Sequence, residues 1–192
     1  MFGDRLFYPL SALVIVAMVA FALSFGGNAS LTDQDIIDEG LTLSGPDLLA
    51  MTISPGSNST YVDEEGGYMR LSQFTPRGQG PESIGVFLTL GQDYERAFSG
   101  RRIRVTYRAR AARIDPLEQF EARYYTLEAG RSPWFQFNLG PDWQDYSYEF
   151  LPPISDQPPN VDLMALFPGA EGESKGMDLS RIRIEVVDEQ SR

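Results

Sequence analysis

Two hydrophobic patterns divide the chain. Leu6 to Phe25 reads LFYPLSALVIVAMVAFALSF, with no charge anywhere in it. At 1.5 Å rise per residue, a helix of that length spans about the 30 Å hydrocarbon core of a bilayer. The pattern predicts a retained transmembrane helix, with Pro9 in the first turn, where its missing N–H does least harm. The rival is a cleaved signal peptide, because Ala20-Phe21-Ala22 is a small-x-small triplet. Against that reading, the apolar run continues through Leu23 and Phe25, and Asp4 offsets Arg5. From Leu48 the period changes to two. Ile103, Val105, Tyr107 and Ala109 alternate with Arg102, Arg104, Thr106, Arg108 and Arg110. Similar runs cover 48–53, 68–74, 84–90, 120–127, 134–139, 146–151, 161–167 and 182–187, separated by Gly and Pro clusters. About nine short strands with such turns between them predict an all-β fold, a sandwich, and show no internal repeat. Ile103, Val105, Tyr107, Phe135, Phe137, Tyr146, Tyr148, Phe150, Ile182, Ile184 and Val186 form the expected core.

These patterns set the expected organisation: a cytoplasmic stub at 1–5, a transmembrane helix at 6–26, a linker or stalk at 27–46, and a sandwich domain at 47–192. Within the stalk, Thr32 to Gly40 has the marks of two helical turns, with Thr32 as N-cap and Gly40 as terminator. A solvated acidic spacer is the preferred expectation there. Arg5 precedes the apolar segment, whereas Asp33, Asp35, Asp38 and Glu39 follow it. Positive flanks stay inside, so the expected location is the inner (cytoplasmic) membrane, single-pass, with the N-terminus in the cytoplasm and the C-terminal domain in the periplasm or outside.

Charge and composition narrow the function classes. The formal net charge of −11 argues against a nucleic-acid partner, which needs positive potential to displace counterions. There is no histidine, so Ser-His, Cys-His and His-zinc chemistry are excluded. There is no cysteine either, which for a domain of this size says nothing about compartment. Glu121, Glu149, Glu185 and Asp145 sit in no catalytic pattern, and the expectation is a protein that is not an enzyme.

Three segments carry a resemblance. Gly100-Arg101-Arg102-Ile103-Arg104-Val105-Thr106-Tyr107-Arg108-Ala109-Arg110-Ala111, then Asp142-Trp143-Gln144-Asp145-Tyr146-Ser147-Tyr148-Glu149-Phe150, then Met177-Asp178-Leu179-Ser180-Arg181-Ile182-Arg183-Ile184-Glu185-Val186 resemble, in order and spacing, strands of jelly-roll carbohydrate-binding modules and their galactose-binding-like relatives. The resemblance implies a jelly-roll β-sandwich over roughly residues 48 to 187, behind the N-terminal membrane anchor. It implies that Trp143 packs a sandwich edge. It also implies that Asp178, half of an acidic pair in such modules, is a candidate ligand of a structural calcium; Asp63, Glu64 and Glu65, ordinarily a solvated acidic turn before Gly66-Gly67, are the residues that could add donors. No other cofactor is expected.

Candidate binding residues fall in two groups. Trp134, Gln136 and Asn138 lie on one side of their strand, opposite Phe135, Phe137 and Leu139. An aromatic plane beside two amides suits a sugar ring and its hydroxyls. Arg104, Arg108 and Arg110 head a cluster of seven arginines between 96 and 113, suited to bidentate recognition of carboxylates or phosphates. Two functions follow as expectations. The first is an interaction or accessory subunit of a membrane protein complex, with the bilayer and other membrane subunits as partners. The alternative is a module that binds a cell-envelope glycan.

Overall fold

A computed structural model describes residues 32–75, 85–126, 130–154, 161–169 and 175–187. The apolar segment from Leu6 to Phe25 lies outside the described residues, and no helix among those described is long and apolar enough to cross a membrane. Two antiparallel sheets form a sandwich. The first has strands β10 (Gln144–Phe150), β6 (Ile103–Ala111), β12 (Gly176–Val186), β4 (Tyr68–Gln73) and β3 (Ser57–Val62), in that order, with β1 (Leu41–Ser44) also beside β12. The second runs β2 (Thr52–Ile53), β5 (Val86–Leu90), β11 (Asp162–Phe167) and β7 (Gln119–Thr126), with β8 (Gly130–Arg131) and β9 (Phe135–Asn138) both paired to β7.

β12 is the longest strand and serves two neighbours on one edge. Its first residues pair with β4, and Ile182 and Ile184 pair with Leu43 and Leu41 of β1. A bulge between Leu179 and Arg181 resets the register, so that Leu179 and Ile182 both point inward. The core lies between the sheets. Ile103, Val105, Tyr107 and Ala109 of β6 are fully buried against Phe120, Ala122 and Tyr124 of β7 and Met164 and Leu166 of β11. Tyr107 meets Phe120 edge-on at 5.9 Å between centroids. Of the expected core, Ile103, Val105, Tyr107, Tyr148, Ile182 and Ile184 are buried, and Phe135, Phe137, Tyr146, Phe150 and Val186 pack partly buried around them. Phe137→Ala should therefore cost about 2–3 kcal/mol, less than a fully buried aromatic. Gln136→Ala, on the exposed side of the same strand, should cost about 0.5 kcal/mol or less. Urea midpoints of the two variants check the face assignment.

The stalk boundary is corrected. Residues from Thr32 belong to the sandwich domain, not to a spacer. Helix α1 (Asp33–Glu39) has Thr32 as N-cap in a reciprocal capping box with Asp35, and it buries Ile36. Arg96 of helix α2 (Gln92–Phe98) pairs with Asp33 at 2.7 Å and so fastens the two helices. Gly40, at φ +70°, then turns the chain into β1; a Cβ there would stand 2.2 Å from the Ile184 carbonyl oxygen. In the run expected as a strand at 48–53, the first half instead ends a 3-10 helix, Gly45–Ala50, started by Pro46. Only Thr52 and Ile53 pair, with β5.

Candidate functional site

The two groups of candidate residues lie on opposite sides of the sandwich. Phe135 and Phe137 of β9 turn inward, so Trp134, Gln136 and Asn138 fall on the outer face of the second sheet. There β9 pairs with β7, which contributes Gln119, Glu121 and Arg123 to the same face. The Gln136 amide donates to the Gln119 carbonyl, and the Gln119 amide donates to the Asn138 carbonyl at 2.9 Å. All three amides are exposed. Trp134 is half-buried. Its ring meets Phe167 edge-on at 6.3 Å, and the Arg123 guanidinium lies 4.6 Å from its centroid. The face thus offers an indole fixed by two neighbours beside a continuous row of amides. Gln119, Arg123 and Phe167 were not singled out from the sequence. The only sign of Gln119 there is that the apolar alternation of β7 begins one residue later, at Phe120.

The arginines lie on the outer face of the first sheet and are already paired. Arg104 bonds Glu149 at 2.7 Å and approaches Glu185 at 3.7 Å. Arg108 and Arg181 share Asp145 at 3.4 and 3.3 Å. Facing residues of β10, β6 and β12 thus form a lattice of alternating charge. These side chains are about a third exposed or more, so each pair adds little stability.

Arg110 and Asp178 are a different case, because both are buried. The Asp178 carboxylate is fully buried and accepts from Arg70 Nε at 2.8 Å, Arg70 Nη2 at 3.1 Å and Arg110 Nε at 3.1 Å. Arg110 Nη1 continues to Glu65 Oε2 at 2.8 Å, and Arg113 reaches Oε1 of the same carboxylate at 2.5 Å. Trp143 donates its Nε1–H to Glu65 at 2.9 Å and lies 4.2 Å from the Arg110 guanidinium, with Tyr68 edge-on to it at 5.7 Å. That bond from Trp143, with Arg110 and Arg113 behind it, holds the Glu65 carboxyl below its usual range. The cluster ties the β3–β4 turn to the ends of β6 and β12.

Two readings of these residues change. Arg110 is no solvent-facing anchor for a partner; it is the buried centre of this cluster. Asp178 is placed as the counter-ion of two arginines, and a cation there would have to displace both. Among the described residues no group of three or more acidic side chains gathers to hold a metal. Asp63, Glu64 and Glu65 follow one another in the β3–β4 turn, but Glu65 is engaged by Trp143, Arg110 and Arg113.

No family model matches the sequence, and no curated protein matches it. Solved structures do share the fold. The sandwich is a jelly roll, and the structures that share its fold include two xylan-binding domains of Xyn10C from Paenibacillus barcinonensis. The CBM22-1 domain superposes with a TM-score of 0.55 at 11% identity, over 77% of this chain and 94% of that one. The CBM22-2 domain gives a TM-score of 0.56 at 9% identity, over 77% and 99%. At these identities the likeness is one of fold.

Proposed function

We propose that the chain is a non-catalytic, membrane-tethered β-sandwich that binds a glycan on the outer face of its second sheet. The observation that carries this reading is the placement of Trp134 beside the Gln136–Gln119–Asn138 amide row, away from the arginine lattice. An aromatic plane supplies the apolar part of sugar recognition, and fixed amides supply paired donors and acceptors for hydroxyls. The fold shared with two xylan-binding domains supports the same reading. It also reverses the order of expectation drawn from the sequence, where the accessory subunit came first. For that role both Trp134 and the arginines were candidate contact residues, and they lie on opposite faces. Tethering through residues 6–25, with the sandwich on the outer side of the inner membrane, belongs to the same proposal.

Affinity electrophoresis of the full chain in mild detergent, through gels containing neutral or acidic polysaccharides, tests it. The wild-type chain should be retarded by at least one polymer. Trp134→Ala should run free while unfolding at nearly the same temperature. Arg104→Glu with Arg108→Glu should be retarded like wild type. Retardation lost in the arginine variant and kept in Trp134→Ala would move the site to the other face.

A further inference from the structure

Resting on that glycan reading, we infer that Gln119 is the positioning residue of the site, and that the ligand is a neutral sugar chain lying along β9. Gln119 is exposed, so core packing gives it no task. Its carboxamide instead stands between two others. It accepts from Gln136 and donates to Asn138, and so joins the outward residues of β9 into one hydrogen-bonded row. Each such bond fixes the plane of an amide that would otherwise rotate. The entropy of ordering Gln136 and Asn138 is thereby met before a ligand arrives. The row still has binding capacity: the Gln136 carbonyl oxygen lies at one end and the Asn138 N–H pair at the other, an acceptor and donors for hydroxyls that do both.

Direction and chemistry follow from the same placement. Trp134 directly precedes β9, and Gln136 and Asn138 follow at two-residue intervals, so the row from the indole to the last amide is at most about 13 Å long at 3.3–3.4 Å per residue. That is the length of a short oligosaccharide and not of a single sugar. It runs parallel to β9, not across the sheet. None of the three side chains is charged. The nearest cation of β7, Arg123, lies over the Trp134 ring. The two charged residues that β7 adds to this face, Glu121 opposite Gln136 and Arg123 over the Trp134 ring, are of opposite sign and offer a uronate no net counter-charge, whereas neutral hydroxyls match every amide in the row.

Calorimetric titration of the full chain in mild detergent, with cello- and xylo-oligosaccharides from mono- to hexasaccharide, tests the inference. Affinity should climb with length up to the trisaccharide and then level. Gln119→Ala should weaken binding about three- to tenfold, the range of one modest hydrogen bond, with the unfolding temperature unchanged. In an Asn138→Ala background the same change should cost clearly less than in the wild-type chain, because only Gln136 is then left to orient. Wild-type binding with Gln119→Ala unaffected would overturn the positioning role. So would full additivity with Asn138→Ala, which would make Gln119 a direct contact. Binding of acidic polymers alone would overturn the neutral class. A wild-type chain that binds no glycan would overturn the glycan reading itself, and this inference with it.

Discussion

Arg110→Ala should destabilise the domain by about 3–5 kcal/mol, the range for breaking a buried ion pair from one side. At roughly 2–4 °C per kcal/mol for a domain of this size, the melting temperature should fall by about 6–20 °C. Three losses coincide. Asp178, fully buried, loses one of its two guanidiniums and keeps Arg70. Glu65 loses one of its two guanidiniums. The Trp143 ring loses the cation packed 4.2 Å from its centroid. Adding Asp178→Asn should recover part of the loss, because the charge left without its partner is then gone. Thermal unfolding of the two variants checks both statements. A fall under about 1 kcal/mol for Arg110→Ala would reduce the cluster to a surface pair.

Stability should rise as pH falls through 6, and Asp162 is the reason. Its side chain is buried in the sandwich, and its Oδ2 accepts the Tyr124 hydroxyl at 2.5 Å. Its Oδ1 is buried and has no hydrogen-bond partner among the described residues. Burial pushes its carboxyl up from 3.8 to about 6; the Tyr124 hydroxyl opposes the rise, and the buried Glu95 of α2 adds to it. The folded state therefore holds the proton more tightly than the unfolded chain. The gain is complete below the unfolded value and is lost as pH rises through the folded one. Two pKa units at 1.36 kcal/mol each give a total on the order of 3 kcal/mol, of which about half has appeared by pH 5. Asp33, Asp35 and Glu65, lowered by their hydrogen bonds, work in the opposite sense at still lower pH. Asp162→Asn isolates the effect. It should be more stable than wild type at pH 7.5 by about 1–3 kcal/mol, and the difference should shrink by pH 5. Urea midpoints at the two pH values measure it.

The strands were more legible than their partners. In β6 the period of two is unbroken, so the sequence assigns Ile103, Val105, Tyr107 and Ala109 inward and Arg104 and Arg108 outward, as the structure does, whereas Arg110, at the end of the same face, is buried under Trp143 and Glu65. The period does not say which sheet a strand joins. β6 and β9 lie in different sheets, so Trp134 and the arginines face opposite ways, which the alternation within either strand does not show. Asp178 shows the same limit. Its place at the start of the closing strand was visible, but its partners Arg70 and Arg110 are 108 and 68 residues away and meet it only through β-sheet register. β3 escaped notice because Ser57-Asn58-Ser59-Thr60 carries no apolar alternation; β4 pairing alone makes it a strand. Helix α1 was readable from its caps. What was missing was a reason for an acidic segment to fold, and that reason is the burial of Ile36 and the pair between Asp33 and Arg96.

The chain's two tryptophans stand on the two candidate faces, which allows the central claim to be measured directly. Trp143→Phe keeps Trp134 as the only reporter on the second sheet, and Trp134→Phe keeps Trp143 as the only reporter on the first. Each full-length variant is titrated with the polysaccharide that retards the wild-type chain, and fluorescence and acrylamide quenching are followed. A glycan on the outer face of the second sheet predicts that Trp134 emission shifts and becomes shielded from quencher, while Trp143 stays unchanged. Saturable shielding of Trp143 with Trp134 unaffected would contradict the account.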